Sequence, residues 1–401
     1  MNSEALLASN CEIILPQTVI TEKLALAQRE SRPLIIKLGF DPTSPDLHIG
    51  HAVALRKLKQ FQDLGHTIVF IIGDFTARIG DPTGKNKTRP PLTEDQINNN
   101  AKTYFEQIGK IIDTSRVEVR HNSEWFDKMT PSDFIKLLAS VNLGRVMARD
   151  DFRKRWDEDS PIGLHELTYP LLQGYDSVMI NADIEIGGSD QLFNIQMGRY
   201  MQEQRGLEAQ GVLCMPLLRG LDGTHKMSKS LNNYIGICDE PRDMFGKMMS
   251  VPDTLLKEYI ALASSFNEEQ QKELIRRLDT GENPINIKKE IAFNLVEQYH
   301  SSNSAQEASE FFLHQFQKKT DLEYQPLSLK AHEIFETELP LIDLIFQLHL
   351  RESKSETKRL IEQGGVTIDN IKIINPFESI TLNPGSTKLT CGKTGFYVLE
   401  S

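Results

Sequence analysis

The chain has 401 residues, 39% of them hydrophobic, and a formal net charge of −11 at pH 7. This length allows two or three domains with real cores, and the acidic balance argues against indiscriminate nucleic-acid binding. No apolar run reaches the roughly 18 residues needed to span a bilayer, so no membrane role is expected.

Residues 1–32 read as a helical leader, with Ile20, Leu24 and Ala27 at i, i+4 and i+7. The start of the chain lacks the basic region and cleavage pattern of a secretory signal, which points to the cytoplasm. Cys11, Cys214, Cys238 and Cys391 show no metal-ligand spacing. They are expected to be reduced packing residues, with no zinc and no other protein-held metal.

Residues 33–73 are the most informative stretch. An apolar run at 34–38 predicts a buried strand, and Gly39-Phe40-Asp41-Pro42-Thr43 supplies turn chemistry. Ala54, Leu55, Leu58 and Phe61 then form a helical stripe closed by Gly65, and residues 68–72 form a second buried run. This is a β-α-β unit of a nucleotide-binding parallel sheet. His48-Ile49-Gly50-His51 stands at the helix start, where two imidazoles share a face beside unpaired backbone N–H groups. Gly50 leaves no side chain between them, so a nucleotide can come close to the backbone.

The loop at 74–85 tempts a P-loop reading, but its spacing is one short of GxxxxGK and no Ser or Thr follows Lys85. It reads instead as a ligand loop at a strand's carboxyl end. Residues 94–112 look helical and 117–119 form a short strand. Helical segments at 131–156 carry the cluster Arg145, Arg149, Arg153, Lys154 and Arg155. That cluster suits a solvated face, a contact with the end of an RNA, or another subunit.

Tyr169, Gln173 and Asp176 fall on one face if the chain is helical beyond Pro170. Ile184-Glu185-Ile186 leads into Gly187-Gly188-Ser189-Asp190-Gln191, a strand, a glycine turn and a helix start. There the backbone can approach a ribose whose hydroxyls Asp190 accepts. Lys226-Met227-Ser228-Lys229-Ser230 lies in a polar loop and suits a mobile clamp on phosphates. From 233 to about 316 the sequence is helical and highly charged, and 318–329 reads as a linker. The last segment reads as two short helices, a Gly-Gly turn and a β-hairpin. Residues 339–401 carry seven residues of each sign, so the rest of the chain holds the whole charge deficit. Lys354, Lys358 and Arg359 share one helical side.

HIGH at 48–51 followed by KMSKS at 226–230 resembles the class I aminoacyl-tRNA synthetases. Over nearly its full length the chain is similar to the bacterial tyrosyl-tRNA synthetases. The motifs carrying this are GFDPT at 39–43, HIGH, Gly80-Asp81-Pro82, the Tyr169/Gln173/Asp176 trio, GGSDQ at 187–191 and KMSKS. The resemblance implies an α/β Rossmann-type catalytic domain at 1–232 with an inserted dimerisation segment. It also implies a helical anticodon-side domain and linker at 233–330, and a small α+β S4-like RNA-binding domain at 338–401. It implies tyrosine activation by ATP with Mg²⁺, transfer to tRNA(Tyr), and a homodimer.

By that resemblance His48, His51, Lys226 and Lys229 grip the triphosphate with help from Thr43 and Ser230. Gly39, Asp41, Gly50, Gly188, Asp190, Gln191 and Met227 shape the nucleotide and adenylate site. Asp81, Tyr169 and Gln173 hold the substrate ammonium, and Asp176 accepts from the phenol. Arg145, Arg149, Lys354, Lys358 and Arg359 are candidate tRNA contacts. The better-studied branch has Tyr at the position of Lys37, Cys at Leu38, Thr at Ala54 and Gln at Glu185. A lysine at the end of an apolar strand needs an acidic neighbour, so Lys37 is expected to pair with Asp176 and read the phenol with it. A tryptophan enzyme is disfavoured by Asp176, and a small-molecule adenylate-forming ligase by the S4-like tail. An RNA-binding protein on an inactive scaffold is disfavoured by the intact HIGH and KMSKS.

Overall fold

The apolar runs around residues 36 and 70 become parallel neighbours at the centre of a six-stranded sheet. The computed structural model describes residues 3–42, 46–81, 94–314, 324–335, 338–351, 353–369, 371–383, 387–392 and 395–400. It divides into two compact units, residues 1–309 and 310–401. In the first unit the strands are β1 (Ile13–Leu15), β2 (Ile35–Phe40), β3 (Thr67–Ile72), β4 (Val117–His121), β5 (Ile184–Gly188) and β6 (Gly211–Met215). Their order is β1-β6-β5-β2-β3-β4. Neighbours run parallel except at the edge, where β1 is antiparallel to β6. β1 lies inside the stretch expected to be wholly helical, between helices Ser3–Ala8 and Val19–Glu30. A three-residue apolar run is too short for its periodicity to stand out.

From β2 the chain steps to β3 and β4 on one side, then returns to β5 and β6 on the other. The β2/β5 junction is therefore a topological switch point, and α/β sheets hold ligands outside the carboxyl ends of such a pair. Gly39–Asp41 and Gly187–Gln191, the two glycine motifs, both end there.

Helix α1 (Ile49–Asp63) crosses from β2 to β3 and buries Leu55, Leu58 and Phe61 of the stripe read from the sequence, with Ile49 and Ala52 beside them, while Ala54 is half-buried. Helix α2 (Leu164–Met179) starts ahead of Pro170 and runs through it. It packs on α3 (Leu192–Glu203) so closely that a Cβ on Gly174 would come within 3.0 Å of the Gly198 nitrogen. That approach turns the opposite face of α2, with Tyr169, Gln173 and Asp176, toward the switch point. Five helices follow the KMSKS loop, from Pro241–Ser250 to Ser302–Phe312. Arg56 of α1 ties them to the sheet by donating to Gln298 Oε1 at 3.3 Å and Tyr299 Oη at 3.2 Å.

The second unit contains the two expected short helices, Leu341–Gln347 and Lys354–Glu362. The expected hairpin pairs Val366–Ile368 with Ile371–Ile373. Part of the supposed linker is a strand, Gln325–Ser328, parallel to Gly395–Glu400. It lies at the edge of a five-stranded sheet, the place where Pro326 can be accommodated. Residues 315–323 lie outside the described residues. Among the described residues no helix is long and apolar enough to cross a membrane.

Candidate active site

His48 immediately precedes α1, and its backbone N–H donates to His51 Nδ1 at 3.2 Å. The two rings stack with centroids 3.7 Å apart. A Cβ on Gly50 would meet His48 Nδ1 at 3.0 Å and Met227 Cβ at 3.6 Å, so glycine is what lets the imidazole lie against the first turn. Burial, then His51, Lys229 and Lys226, lower the pKa of His48 to about 2. The enclosing cleft, then Lys229 and Lys226, also lower that of His51. Both rings are therefore neutral near pH 7 and act as hydrogen-bonding groups rather than cations. Among the described residues, buried His48 Nδ1 has no hydrogen-bond partner.

The KMSKS loop comes to the same place. Ile49 N–H donates to Ile235 O at 3.0 Å, and His48 bridges Gly236, so the backbone just after KMSKS runs along HIGH. Asn233, which the sequence reading did not single out, pins the loop: its Oδ1 accepts from Ser228 N at 2.8 Å and its Nδ2 donates to Lys226 O at 3.2 Å. The only signal for it was an amide just past a Lys/Ser loop. Lys226 Nζ lies 2.7 Å from Asp190 Oδ2, and Lys229 Nζ lies 3.5 Å from Asp46 Oδ2. The hydroxyls of Ser228 and Ser230 are 2.8 Å apart. A cavity of about 370 Å³ is lined by Gly39, His48, Gly50, His51, Gly188, Asp190, Gln191, Lys226 and Met227. Thr43 lies outside the described residues.

A second cavity of about 340 Å³ shares Gly39, His51, Asp190, Gln191 and Lys226 with the first and adds Asp41, Thr76, Asp81, Tyr169, Gln173 and Asp176. Asp41 lines this acidic cavity and not the first, next to the Gly39 that lines both. Its Oδ2 accepts from Tyr169 Oη at 2.9 Å and its Oδ1 from Thr76 Oγ1 at 2.8 Å. Burial first, then Asp41 and Asp81, hold the Tyr169 phenol protonated well above its ordinary range. Asp176 accepts from Trp125 Nε1 at 3.0 Å and Asn122 Nδ2 at 3.4 Å. Burial pushes its pKa up to about 7, against the opposing pull of Lys37 and the two donors.

Lys37 does not take the expected partner. Its Cα is in register with Glu185 across β2 and β5, and both side chains are fully buried. Lys37 Nζ lies 3.0 Å from Glu185 Oε1 and donates to Ser177 Oγ at 2.7 Å and Gln173 O at 2.9 Å. An ammonium has three N–H groups, so none is left for a phenol. Glu185 also accepts from Gln173 Nε2 at 3.2 Å. A carboxylate only accepts, so the amide turns its nitrogen to Glu185 and leaves its oxygen for the cavity. The sequence carried a signal for this pair, since Lys37 and Glu185 are the lone charges in two apolar strands.

Arg149 also departs from expectation. It is buried, with Nε 2.7 Å from Asp151 Oδ1 and Nη2 3.6 Å from Asp81 Oδ1, so its guanidinium faces the pocket wall and not an RNA. Arg145 is exposed, its guanidinium 3.9 Å over the Tyr200 ring. Lys354, Lys358 and Arg359 are exposed on one helix of the second unit.

A doubly wound sheet whose switch point is flanked by HIGH and KMSKS defines the catalytic unit of a class I aminoacyl-tRNA synthetase. The family model for class I tRNA synthetases (W and Y) matches residues 29–317. Tyrosine–tRNA ligase 2 of Photorhabdus laumondii is 50% identical over 382 residues, 95% of each chain. Tyrosine–tRNA ligase of Thermotoga maritima is 48% identical over 366 residues, covering 91% of this chain and 90% of its own. The chain belongs to the bacterial tyrosyl-tRNA synthetases. A tyrosyl-tRNA synthetase from Archaeoglobus fulgidus, solved with L-tyrosine, superposes with a TM-score of 0.60 at 21% identity. It covers 77% of this chain and 98% of its own, and its likeness speaks for the fold.

Proposed function

We infer that the two joined cavities are where this ligase activates L-tyrosine with ATP, releasing pyrophosphate, before transfer to the 3′ end of tRNA(Tyr). The observation that carries this is how their linings divide. Asp41, Asp81 and Asp176 line only one cavity, suited to an amino acid's ammonium, while His48, Gly50 and Met227 line only the other; His51 and Lys226 stand where the two meet, suited to the phosphates. In-line attack of the tyrosine carboxylate on the α-phosphate needs no general base, so catalysis rests on positioning and on charge stabilisation. His48, His51, Lys226 and Lys229 act on the phosphates with Ser230 and Thr43, while Gly39, Gly188, Asp190 and Gln191 shape the nucleotide site. Asp81, Tyr169 and Gln173 hold the ammonium, Gln173 through the oxygen that Glu185 leaves free, and Asp176 meets the phenol. Magnesium enters as the ATP complex. Tyrosine-dependent ATP–pyrophosphate exchange tests the reading; exchange dependent on another amino acid, or none, would sink it.

Residues 1–232 form the catalytic part of this reading, 233–330 the anticodon-side helices and linker, and 338–401 the S4-like tRNA-holding part, in a cytoplasmic homodimer. For the dimer, the supporting feature is an apolar surface at 131–168, where Ile135, Leu143 and Leu164 are 65%, 63% and 82% exposed. Leu143→Asp with Leu164→Asp is expected to give monomers by sedimentation; an unchanged dimer would place the interface elsewhere. For tRNA, the support is a basic helix beside exposed Ile374 and Phe377, with Lys358 Nζ 5.9 Å from the Phe377 ring centre. Exposed rings beside cations suit unstacked bases. Lys354→Glu, Lys358→Glu and Phe377→Ala together should spare pyrophosphate exchange and cut charging of tRNA by about tenfold or more. Equal loss of both activities would make the surface a support for the fold.

A further inference from the structure

We propose that buried Arg149 is a positioning residue for the tyrosine site, setting the orientation of a ring of side chains that holds Asp81. This rests on the assignment of Asp81 to the substrate ammonium. Arg149 Nη1 donates to Asn194 Oδ1 at 3.2 Å. Asn194 Nδ2 donates to Gln191 Oε1 at 3.0 Å, and Gln191 Nε2 donates to Asp81 Oδ2 at 2.8 Å. Asp81 Oδ1 closes the ring, 3.6 Å from Arg149 Nη2. Asp151 anchors the guanidinium from outside the ring, 2.7 Å from Nε.

The chemistry of the members dictates the direction. A guanidinium can only donate and a carboxylate can only accept, whereas each amide can be turned either way. With Arg149 at one end and Asp81 at the other, only one setting of both amides satisfies every link. Asn194 must offer its oxygen to Arg149, so its nitrogen meets Gln191; Gln191 must then offer its nitrogen to Asp81. Asn194 is 1% exposed and Arg149 6%, so water cannot readily substitute for a missing link. Without the guanidinium both amides are free to turn. Gln191 would then set its oxygen against Asp81 part of the time and push the carboxylate out of the ammonium's reach. No proton moves and Arg149 touches no reacting atom, so the effect falls on tyrosine binding and not on the chemical step.

Pyrophosphate exchange by the full-length enzyme tests this with Arg149→Met, Arg149→Lys and Asn194→Asp. Arg149→Met should raise the KM for tyrosine roughly tenfold, as for a lost charged hydrogen bond. The value of kcat should stay within about twofold, the pattern of lost ground-state binding. Arg149→Lys, still a donor only, should recover part of the loss. Asn194→Asp keeps the acceptor facing Arg149 but removes the donor facing Gln191, and should raise the tyrosine KM similarly. Inhibition by 3-(4-hydroxyphenyl)propionate, which lacks the ammonium, should be unchanged in all three, whereas general loosening of the pocket would weaken it too. Asp81→Asn separates the two levels. A parent-like tyrosine KM for Asp81→Asn would remove the ammonium assignment on which the proposal stands. A raised KM for Asp81→Asn with parent-like values for both Arg149→Met and Asn194→Asp would overturn the proposal and leave that assignment standing.

Discussion

Replacing Lys229 by alanine is expected to slow tyrosyl-adenylate formation by about 10²-fold or more, the scale for removing one preorganised donor at a charge-developing oxygen. Lys229 approaches Asp46 at the rim of the cleft, and Lys226 pairs with Asp190 within it. Both cations are thus kept near the phosphate end by carboxylates that a triphosphate, with more charge, can outcompete. Partial burial lowers the pKa of Lys229, with Asp46 opposing the shift. The histidines beside it are neutral, so within this group the lysines carry the positive charge that matters as pyrophosphate leaves. Tyrosine affinity should barely change, because the tyrosine cavity includes Lys226 but not Lys229. Single-turnover adenylate formation is the measurement. A parent-like rate would remove the KMSKS loop from the phosphate clamp.

How much of this could be read from the chain differs by the kind of contact. Motifs built from neighbours in sequence were legible. The β2-α1-β3 unit, HIGH, GGSDQ and the trio on α2 each rest on local spacing, and the switch point gathers them by topology. Pairings across strands or between distant helices were not. Lys37 sat in an apolar strand demanding a counter-charge, and Asp176 was the acid the motifs offered. Glu185 won because the β2/β5 register places it directly alongside, and no periodicity reveals register between strands so far apart in sequence. Arg149 misled for the opposite reason. A cluster of basic residues implies a solvated face or one that meets RNA or another subunit, yet Arg149 turns inward to Asp81, Asp151 and Asn194, and Arg155 pairs with buried Glu166. Strands β1 and Gln325–Ser328 escaped because both are short, and the latter contains proline.

The reassignment of Lys37 changes what is expected at the phenol. Asp176→Asn should lower kcat/KM for tyrosine by about 10²-fold, as for a lost charged hydrogen bond of up to about 3 kcal/mol. Phenylalanine, with no hydroxyl to lose, should be almost unaffected. The gap between the two substrates, for which tyrosyl-tRNA synthetase itself is the known example at roughly 10⁵, should therefore narrow by the same factor. Asparagine keeps one oxygen, which can still accept from Trp125 Nε1, and gives up only the longer 3.4 Å contact with Asn122, so the substitution is nearly isosteric. The pH dependence follows from the burial that pushes Asp176 up to about 7. Above that value the carboxylate is ionised and accepts the phenol proton. As pH falls through it the acceptor is protonated, so kcat/KM for tyrosine in the parent should decline toward tenfold per unit while Asp176→Asn stays flat. For folding the sign is reversed. The native carboxyl keeps a proton that the unfolded chain releases at its ordinary value of 3.8, so this group's contribution to stability falls as pH rises from about 4 to 7. A parent profile with no inflection near 7, or one that Asp176→Asn shares, would mean that another group reads the hydroxyl. Lys37, with all three N–H groups committed to Glu185, Ser177 and Gln173, is not available for that role.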